Sequence, residues 1–209
     1  MARLVAAFGA LAIFGALGIQ LGLLIANFRQ EGGTALEGVW RFVGYFTVLT
    51  NILVALVLAR AALRPEARNG LNAQAIELTA TVAILFVGVV YNVLLAPLWN
   101  PQGLQKLADL ALHNAAPLFM LAFWLLRPHG QITWRAALTA AAWPLGYVVY
   151  AMARGALDGF YAYYFLDPTQ AGLGDMAVNI GALTLAFVAG ALLLTGVDAA
   201  MARRAKPSR

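Results

Sequence analysis

The sequence contains no cysteine and has few charged residues. The absence of cysteine excludes disulfide bonds, thiolate metal sites and cysteine nucleophiles. Only 11% of the residues are charged while 62% are hydrophobic, whereas soluble domains have about 25% charged and about 45–50% apolar residues. Such a chain lacks the polar groups that would cover a globule in water, so we expect a protein whose solvent is the lipid bilayer.

Long apolar runs, separated by charged residues, proline and glycine, indicate membrane spans. A span needs about 20 apolar residues, and backbone groups inside hydrocarbon must bond one another within a helix. The sequence therefore predicts an all-α polytopic membrane protein with a single domain over residues 1–209. Its six predicted transmembrane helices cover about 4–27, 39–60, 76–98, 106–126, 134–153 and 174–197.

The lysines and arginines are unevenly divided between the two ends of these predicted helices. The end that includes both termini has ten of them: Arg3, Arg60, Arg64, Arg68, Arg127, Arg135, Arg203, Arg204, Lys206 and Arg209. The opposite end has only Arg29, Arg41, Lys106 and Arg154. The positive-inside rule then predicts that both termini are cytoplasmic and that the tail contacts lipid headgroups rather than nucleic acid. The Ala- and Arg-rich composition indicates a bacterial inner membrane.

Polar side chains within the spans concentrate in the predicted outer halves, which indicates a polar cavity open toward the outer leaflet. Thr47 is seven residues from Trp40 on the second span, and His113 is seven residues from Lys106 on the fourth. Both therefore lie roughly 10 Å below the outer boundary, where they can meet. The polar residues of the outer halves are Gln20, Thr47, Thr50, Asn51, Tyr91, Asn92, His113, Asn114, Tyr147, Tyr150, Asn179 and Thr184.

Helical spacing adds further polar groups to this pair. Asn51 follows Thr47 by four residues and Asp109 precedes His113 by four, so each lies on the same helix face as its partner. Pro117 has no N–H group, and its ring disturbs the carbonyl group four residues earlier, which belongs to His113. We therefore expect the helix to bend or open beside the imidazole.

This set of residue types is suited to nucleophilic catalysis on an ester. A threonine hydroxyl becomes a nucleophile when a base removes its proton, and a neutral histidine steered by a third group is the usual base. Thr47 and His113 would fill these roles, with Asp109 or Asp167 as the third group. The candidates for the donors that stabilise an oxyanion are Asn51, Asn92 and Asn114. The alternative is that Thr47 packs between helices and His113 is simply hydrogen-bonded.

Other functions are compatible with part of this pattern. A carrier or lipid-binding protein would use the same polar cavity to hold a ligand without catalysis. Haem ligation by His113 and His129 is disfavoured, because sixteen residues separate them by roughly 24 Å of helix. No cluster of histidines and carboxylates has the spacing of a metal site, so we expect neither a metal nor another cofactor.

Three segments resemble the androgen-induced-protein family of six-span membrane proteins, which includes the androgen-dependent regulator of tissue-factor-pathway inhibitor. They are Tyr45-Phe46-Thr47-Val48-Leu49-Thr50-Asn51, His113 with Pro117, and Tyr164-Phe165-Leu166-Asp167-Pro168. The similarity runs from the second to the sixth span and is greatest to bacterial members of the family.

The resemblance implies hydrolysis of fatty acid esters, because characterised animal members hydrolyse fatty acid esters of hydroxy fatty acids. It implies that Thr47 is the nucleophile and His113 its histidine partner, with Thr50 as an alternative nucleophile one turn away. Asp167 lies where the animal proteins also have an acidic residue, whereas Asp109 has no counterpart in them. The substrate implied is a lipid or fatty acyl ester.

Overall fold

A computed structural model describes residues 1–205, and within this range the regular structure is entirely helical. The tail residues Lys206 and Arg209 lie outside the described range. The α-helices, numbered in chain order, are α1 (Ala2–Gln30), α2 (Ala35–Phe42), α3 (Phe46–Leu63), α4 (Gln74–Val90), α5 (Gly103–Leu110), α6 (Ala116–Leu125), α7 (Trp134–Ala140), α8 (Ala142–Asp158) and α9 (Gly172–Ala205).

Six helical stretches are long and apolar enough to cross a membrane, which confirms the predicted all-helical membrane fold. Some of these stretches join successive helices through short π or 3-10 turns. The six are Ala2–Gln30, Phe46–Leu63, Gln74–Leu98, Gly103–Leu125, Trp134–Asp158 and Gly172–Arg204.

The predicted second span, 39–60, begins too early. The Thr34 side chain caps the short helix α2, and Glu37 completes a capping box. Helix α2 ends at Phe42, and Tyr45 is extended before α3 begins at Phe46. Thr47 is thus the second residue of α3, and no continuous helix connects it to Trp40. Hydropathy does not show this break because most of the residues around it are apolar.

The fifth span is interrupted and ends later than predicted. Helix α7 ends at Ala140, and α8 begins at Ala142. The break lies four residues before Pro144, whose missing N–H group leaves the Ala140 carbonyl without its usual helical donor. Helix α8 continues to Asp158, so Arg154 is a buried helical residue and does not begin the following loop.

The chain divides into two compact units, and the first is Met1–Pro128. In it, α1 packs against α3 and α6, and α4 also packs against α3 and α6, so four helices enclose one core. This unit contains all but one of the predicted site residues. Its most deeply buried large side chains are Ile13, Leu58, Leu78, Ile84, Met120 and Phe123.

The second unit begins at His129 and contains α7, α8 and α9. Asp198 of α9 accepts hydrogen bonds from the main-chain N–H groups of Gly130 and Ile132, at 2.9 and 3.2 Å. His129 Nδ1 lies 2.9 Å from the same carboxylate. Because its carboxylate organises residues 129–132, Asp198 ties this loop to α9.

Candidate functional site

The helix opens beside His113, as the position of Pro117 predicts. Residues Ala111–Ala115 form a π-helical turn, in which Ala116 N–H bonds the Ala111 carbonyl. We call it the second π turn, because another one precedes it in the chain, at Tyr91–Leu95. The widened turn places the His113 carbonyl at Gly88 of α4, where a Cβ atom would lie 3.1 Å from the carbonyl oxygen. Single π turns of this kind occur frequently at functional sites.

A π turn in the neighbouring helix faces the one at His113. This first π turn, Tyr91–Leu95, follows α4 directly and has the same widened pattern, with Ala96 N–H bonded to the Tyr91 carbonyl. The two turns are joined by Asn92, whose amide donates to Asn114 Oδ1 at 3.1 Å. Two irregular segments therefore meet at one level of the bundle.

His113 belongs to a compact cluster with Asp109 and Tyr91. Its Nδ1 atom lies 3.0 Å from the Asp109 main-chain oxygen and 3.2 Å from the Asp109 carboxylate oxygen Oδ1. The Tyr91 hydroxyl donates to the other carboxylate oxygen at 2.5 Å. The Tyr91 ring stacks on the imidazole, with 3.7 Å between centroids and an interplanar angle of 17°. Asp109 is only 7% exposed, so the predicted spacing yields a buried pair.

This arrangement sets the tautomer of the imidazole. Both groups beside Nδ1 are acceptors, so in the neutral imidazole Nδ1 carries the proton and the lone pair lies on Nε2. Among the described residues, Nε2 has no hydrogen-bond partner. A neutral histidine whose Nδ1–H is held by a carboxylate has the form required of a general base.

Asn51 connects α3 to the second π turn. Its side-chain amide donates to the main-chain oxygens of Thr47, at 2.9 Å, and Leu112, at 3.2 Å. The residue is fully buried, and its Oδ1 atom has no hydrogen-bond partner among the described residues. Since both N–H groups are used by carbonyls, the Asn51 side chain has no donor left over in this geometry.

The two remaining asparagines, Asn92 and Asn114, differ in whether their side-chain N–H groups are already used in hydrogen bonds. The Asn92 amide donates to the Gly88 carbonyl and to Asn114 Oδ1, so both of its N–H groups are used. Asn114 accepts the latter bond, and within residues 1–205 its own N–H groups have no partner. Of the three predicted oxyanion candidates, Asn114 alone retains donors in this geometry.

Thr47 and Thr50 differ in their accessibility. Thr50 is fully buried, whereas Thr47 is partly exposed on the first turn of α3. In the part of the chain that the structure describes, the side-chain contacts of His113 are with Asp109 and Tyr91, and no hydrogen bond joins Thr47 to the imidazole. Asn51 links their two segments, because its amide bonds the main-chain oxygens of Thr47 and of Leu112, the residue before His113.

Asp167 lies in the second unit and closes a local turn. Its carboxylate accepts from the Thr169 hydroxyl at 2.6 Å, the Thr169 amide at 2.9 Å and the Gln170 side chain at 2.7 Å. The bonds from Thr169, first that of its hydroxyl, lower the pKa of the Asp167 carboxyl below its usual value of 3.8. Its role as an orienting group for His113 stays a prediction.

Sequence reasoning did not assign a role to Tyr91. The residue belongs to the polar set of the outer halves, but nothing in a sequence pairs positions 91 and 109 on different helices. Within residues 1–205, its buried hydroxyl is the group that hydrogen-bonds Asp109 Oδ2, whereas Oδ1 is the carboxylate oxygen beside His113. The only sequence feature that pointed to Tyr91 is that it is a tyrosine within an apolar span.

The close approach of Gly88 to the second π turn predicts a measurable cost for a larger residue. In Gly88→Ala the added Cβ would lie 3.1 Å from both the His113 oxygen and Pro117 Cγ. We expect a loss of about 1–3 kcal/mol in the free energy of unfolding, as for other overpacked cores. Gly18→Ala on α1 is the control, since its Cβ would meet nothing within 4 Å. Equal stability of the two variants in detergent would contradict this packing.

No protein-family model, curated protein or solved structure matches this chain. The site combines a helix break, a buried carboxylate and an imidazole whose Nε2 atom has no hydrogen-bond partner among residues 1–205. Its chemistry follows from these groups.

Proposed function

We propose that this protein hydrolyses fatty acid esters within the bilayer, with Thr47 as nucleophile and His113 as general base. The observation that carries the proposal is the imidazole whose Nδ1 is held by buried Asp109 and whose Nε2 lone pair has no partner within residues 1–205. The sequence resemblance supports the same two residues. Esters of hydroxy fatty acids are the substrates that this resemblance favours.

The reaction begins with proton transfer from the Thr47 hydroxyl to His113 Nε2. The hydroxyl oxygen then attacks the ester carbonyl carbon, and the imidazolium returns the proton to the departing alkoxide, leaving an acyl-threonine. Water, deprotonated by the same nitrogen, attacks the acyl carbon; the bond to the Thr47 oxygen breaks, this oxygen takes the proton back from the imidazolium, and the fatty acid is released. Asp109 stabilises the imidazolium that forms in each step. The hydroxyl and imidazole have to approach when substrate binds, as catalytic hydrogen bonds commonly tighten only in the complex.

The surroundings of the two groups support Thr47 over Thr50. A substrate carbonyl can approach a partly exposed side chain, whereas Thr50 is fully buried. The negative oxygen of the tetrahedral intermediate requires fixed donors. We assign this role to Asn114, whose amide is oriented by the bond that its oxygen accepts from Asn92.

We also propose that both termini are cytoplasmic and that the site lies toward the periplasmic side of a bacterial inner membrane. In the first unit, Arg3 bonds the Ala62 carbonyl, and Arg127 bonds the carbonyls of Pro65 and Ala67. Arginines distant in sequence thus meet at one end of this unit. The positive-inside rule assigns such an end to the cytoplasm.

Hydrolysis of a long-chain 4-nitrophenyl ester by the purified protein tests the proposal. We expect Thr47→Ala and His113→Ala each to reduce turnover to the background rate, while both variants retain the helical circular dichroism of the wild type. Thr79→Ala is the matched control, because the Thr79 hydroxyl only bonds the Ala75 carbonyl of its own helix.

Three outcomes would contradict the proposal. Turnover retained by both Thr47→Ala and His113→Ala would exclude these residues from the reaction. Absence of hydrolysis in the wild type, together with lipid flux across proteoliposomes, would indicate a carrier instead. Loss of activity in Thr50→Ala but not in Thr47→Ala would show that the nucleophile is Thr50, one helical turn away.

A further inference from the structure

One main-chain carbonyl in the second π turn has no donor in its own helix. In an α-helix, the Leu112 carbonyl would accept a hydrogen bond from the N–H group of Ala116, four residues later. Here that N–H group bonds the Ala111 carbonyl instead. The next residue is Pro117, which has no N–H group to offer. The helix that carries His113 therefore leaves the Leu112 carbonyl open.

Asn51 of α3 supplies the missing donor. Its side-chain Nδ2 atom donates to the Leu112 oxygen at 3.2 Å, across the contact between two helices. Leu112 is buried, so this bond replaces a donor that water does not provide. Inside an apolar span an unpaired carbonyl is costly, and side chains of neighbouring helices satisfy the groups that an irregular turn frees. The Asn51 amide thus stabilises the second π turn.

The same nitrogen atom also bonds the helix of the proposed nucleophile. Asn51 Nδ2 donates to the Thr47 main-chain oxygen at 2.9 Å, one turn earlier on α3. One amide group therefore bonds the carbonyl of the proposed nucleophile and the carbonyl of the residue that precedes the proposed base. Because both oxygens lie within hydrogen-bond distance of a single atom, the start of α3 and the second π turn are fixed against each other at this point.

The oxygen of this amide shows that the group has one stable orientation. Asn51 Oδ1 is buried and has no hydrogen-bond partner among the described residues. Exchanging the oxygen and the nitrogen would place an acceptor against two carbonyl oxygens and leave both without their side-chain donor. A buried unpaired oxygen is itself unfavourable. Asn51 therefore contributes through its two N–H groups rather than through packing.

We propose that Asn51 is a positioning residue for the ester hydrolysis proposed above, on which this inference rests. By holding the second π turn against α3, Asn51 sets the separation and the relative height of the His113 imidazole and the Thr47 hydroxyl. Small displacements of catalytic groups have large effects on rate. Since the Asn51 amide bonds main-chain carbonyls rather than the reacting groups, its loss should lower kcat and leave KM nearly unchanged.

Asn51→Leu tests the kinetic part of this role, because it removes both donors and the unpaired oxygen at a similar volume. We expect kcat for ester hydrolysis to fall about 10²-fold, the effect of a displacement of about 1 Å. Thr81→Val is the matched control. The Thr81 hydroxyl is also fully buried and bonds a main-chain carbonyl, that of Glu77, but this carbonyl lies in an unbroken helix. We expect Thr81→Val to retain the wild-type kcat.

Asn51→Thr isolates the bond between the helices and decides the question if Asn51→Leu does not fold. A threonine hydroxyl within a helix bonds the carbonyl four residues earlier, as Thr81 does here, so this variant can keep the bond to the Thr47 carbonyl. The shorter side chain does not reach Leu112. We therefore expect Asn51→Thr to lose as much kcat as Asn51→Leu, and a wild-type kcat in Asn51→Thr would overturn the proposal.

The sequence permits a structural readout that needs no catalysis. Leu112-His113 is the only leucine–histidine pair in the chain, since the other histidine, His129, follows a proline. Protein labelled with 13C at the leucine carbonyls and with 15N in histidine therefore gives one carbonyl–amide NMR signal for this peptide bond. We expect Asn51→Leu to shift the signal, because the carbonyl loses its donor, and Thr81→Val to leave it unchanged.

The two readouts separate this inference from the proposed function. A shifted Leu112-His113 signal together with a lower kcat in Asn51→Leu supports the positioning role. Absence of esterase activity in the wild type would contradict the proposed function. An active wild type, with an unchanged kcat or an unshifted signal in Asn51→Leu, would overturn only the role of Asn51.

Discussion

Asp109→Asn is expected to lower kcat for ester hydrolysis by about 10³–10⁴-fold with little change in KM. The carboxylate lies 3.2 Å from His113 Nδ1 and is buried, so it sets the tautomer and stabilises the imidazolium. An asparagine of the same shape can turn its N–H groups toward Nδ1 and move the imidazole proton to Nε2. Loss of an orienting carboxylate has an effect of this size in serine hydrolases.

Tyr91→Phe separates the contribution of the hydroxyl from that of the ring. The variant keeps the stack on the imidazole but removes the hydrogen bond to Asp109. We expect a smaller loss of kcat, about tenfold, because the carboxylate itself remains in place. For the preceding prediction, an Asp109→Asn variant that keeps more than half of the wild-type kcat would contradict the role of the Asp109 carboxylate.

Arg127→Met is expected to destabilise the protein by about 3–5 kcal/mol. The substitution leaves Glu77 buried without its main counter-ion and removes the donors to the Pro65 and Ala67 carbonyls. Removing one partner of a buried ion pair has a cost of this order, because the remaining charge is uncompensated. Denaturant unfolding in detergent, followed by the helical circular dichroism signal, measures the change.

The double variant Glu77→Leu with Arg127→Met serves as the control for this pair. Replacing both charges by apolar groups removes the unpaired carboxylate, and such replacements are often nearly neutral. We therefore expect the double variant to be more stable than Arg127→Met alone. A double variant less stable than the single one would show that the hydrogen bonds to the loop, rather than the buried charge, determine the loss.

Hydropathy predicts the six helices because each span has a local signature that is independent of its neighbours. The break between α2 and α3 has no such signature. Val43 and Phe46 are as apolar as the span that follows, and only Gly44 and Tyr45 interrupt the run between them. The predicted depth of Thr47 assumed one continuous helix, so the matching of its depth with that of His113 was not a sound reason for pairing them.

Helical periodicity explains which site contacts were predictable. Asp109 and His113 are four residues apart on one helix, and Pro117 lies four residues beyond, so the pairing and the opening both follow from spacing. Contacts between different helices do not follow from spacing within one helix. Tyr91 and Asp109 are partners only because two π turns bring α4 and α5 into a particular register, which no single segment encodes.

The network at Glu77 and Arg127 escaped prediction for a related reason. Charged residues near the end of an apolar run are usually solvated, so their position alone does not indicate a buried pair. Fifty residues separate the two side chains, and the fold of the first unit alone brings them to 2.7 Å.

Mapping the site of covalent modification by a fluorophosphonate is the most direct test of the central claim. The probe forms a stable bond only with an activated nucleophile, so it reports the hydroxyl and its base together. The account predicts a single adduct, identified on Thr47 by peptide mass spectrometry and absent from both Thr47→Ala and His113→Ala. An adduct on another residue, or equal labelling of wild type and His113→Ala, would contradict it.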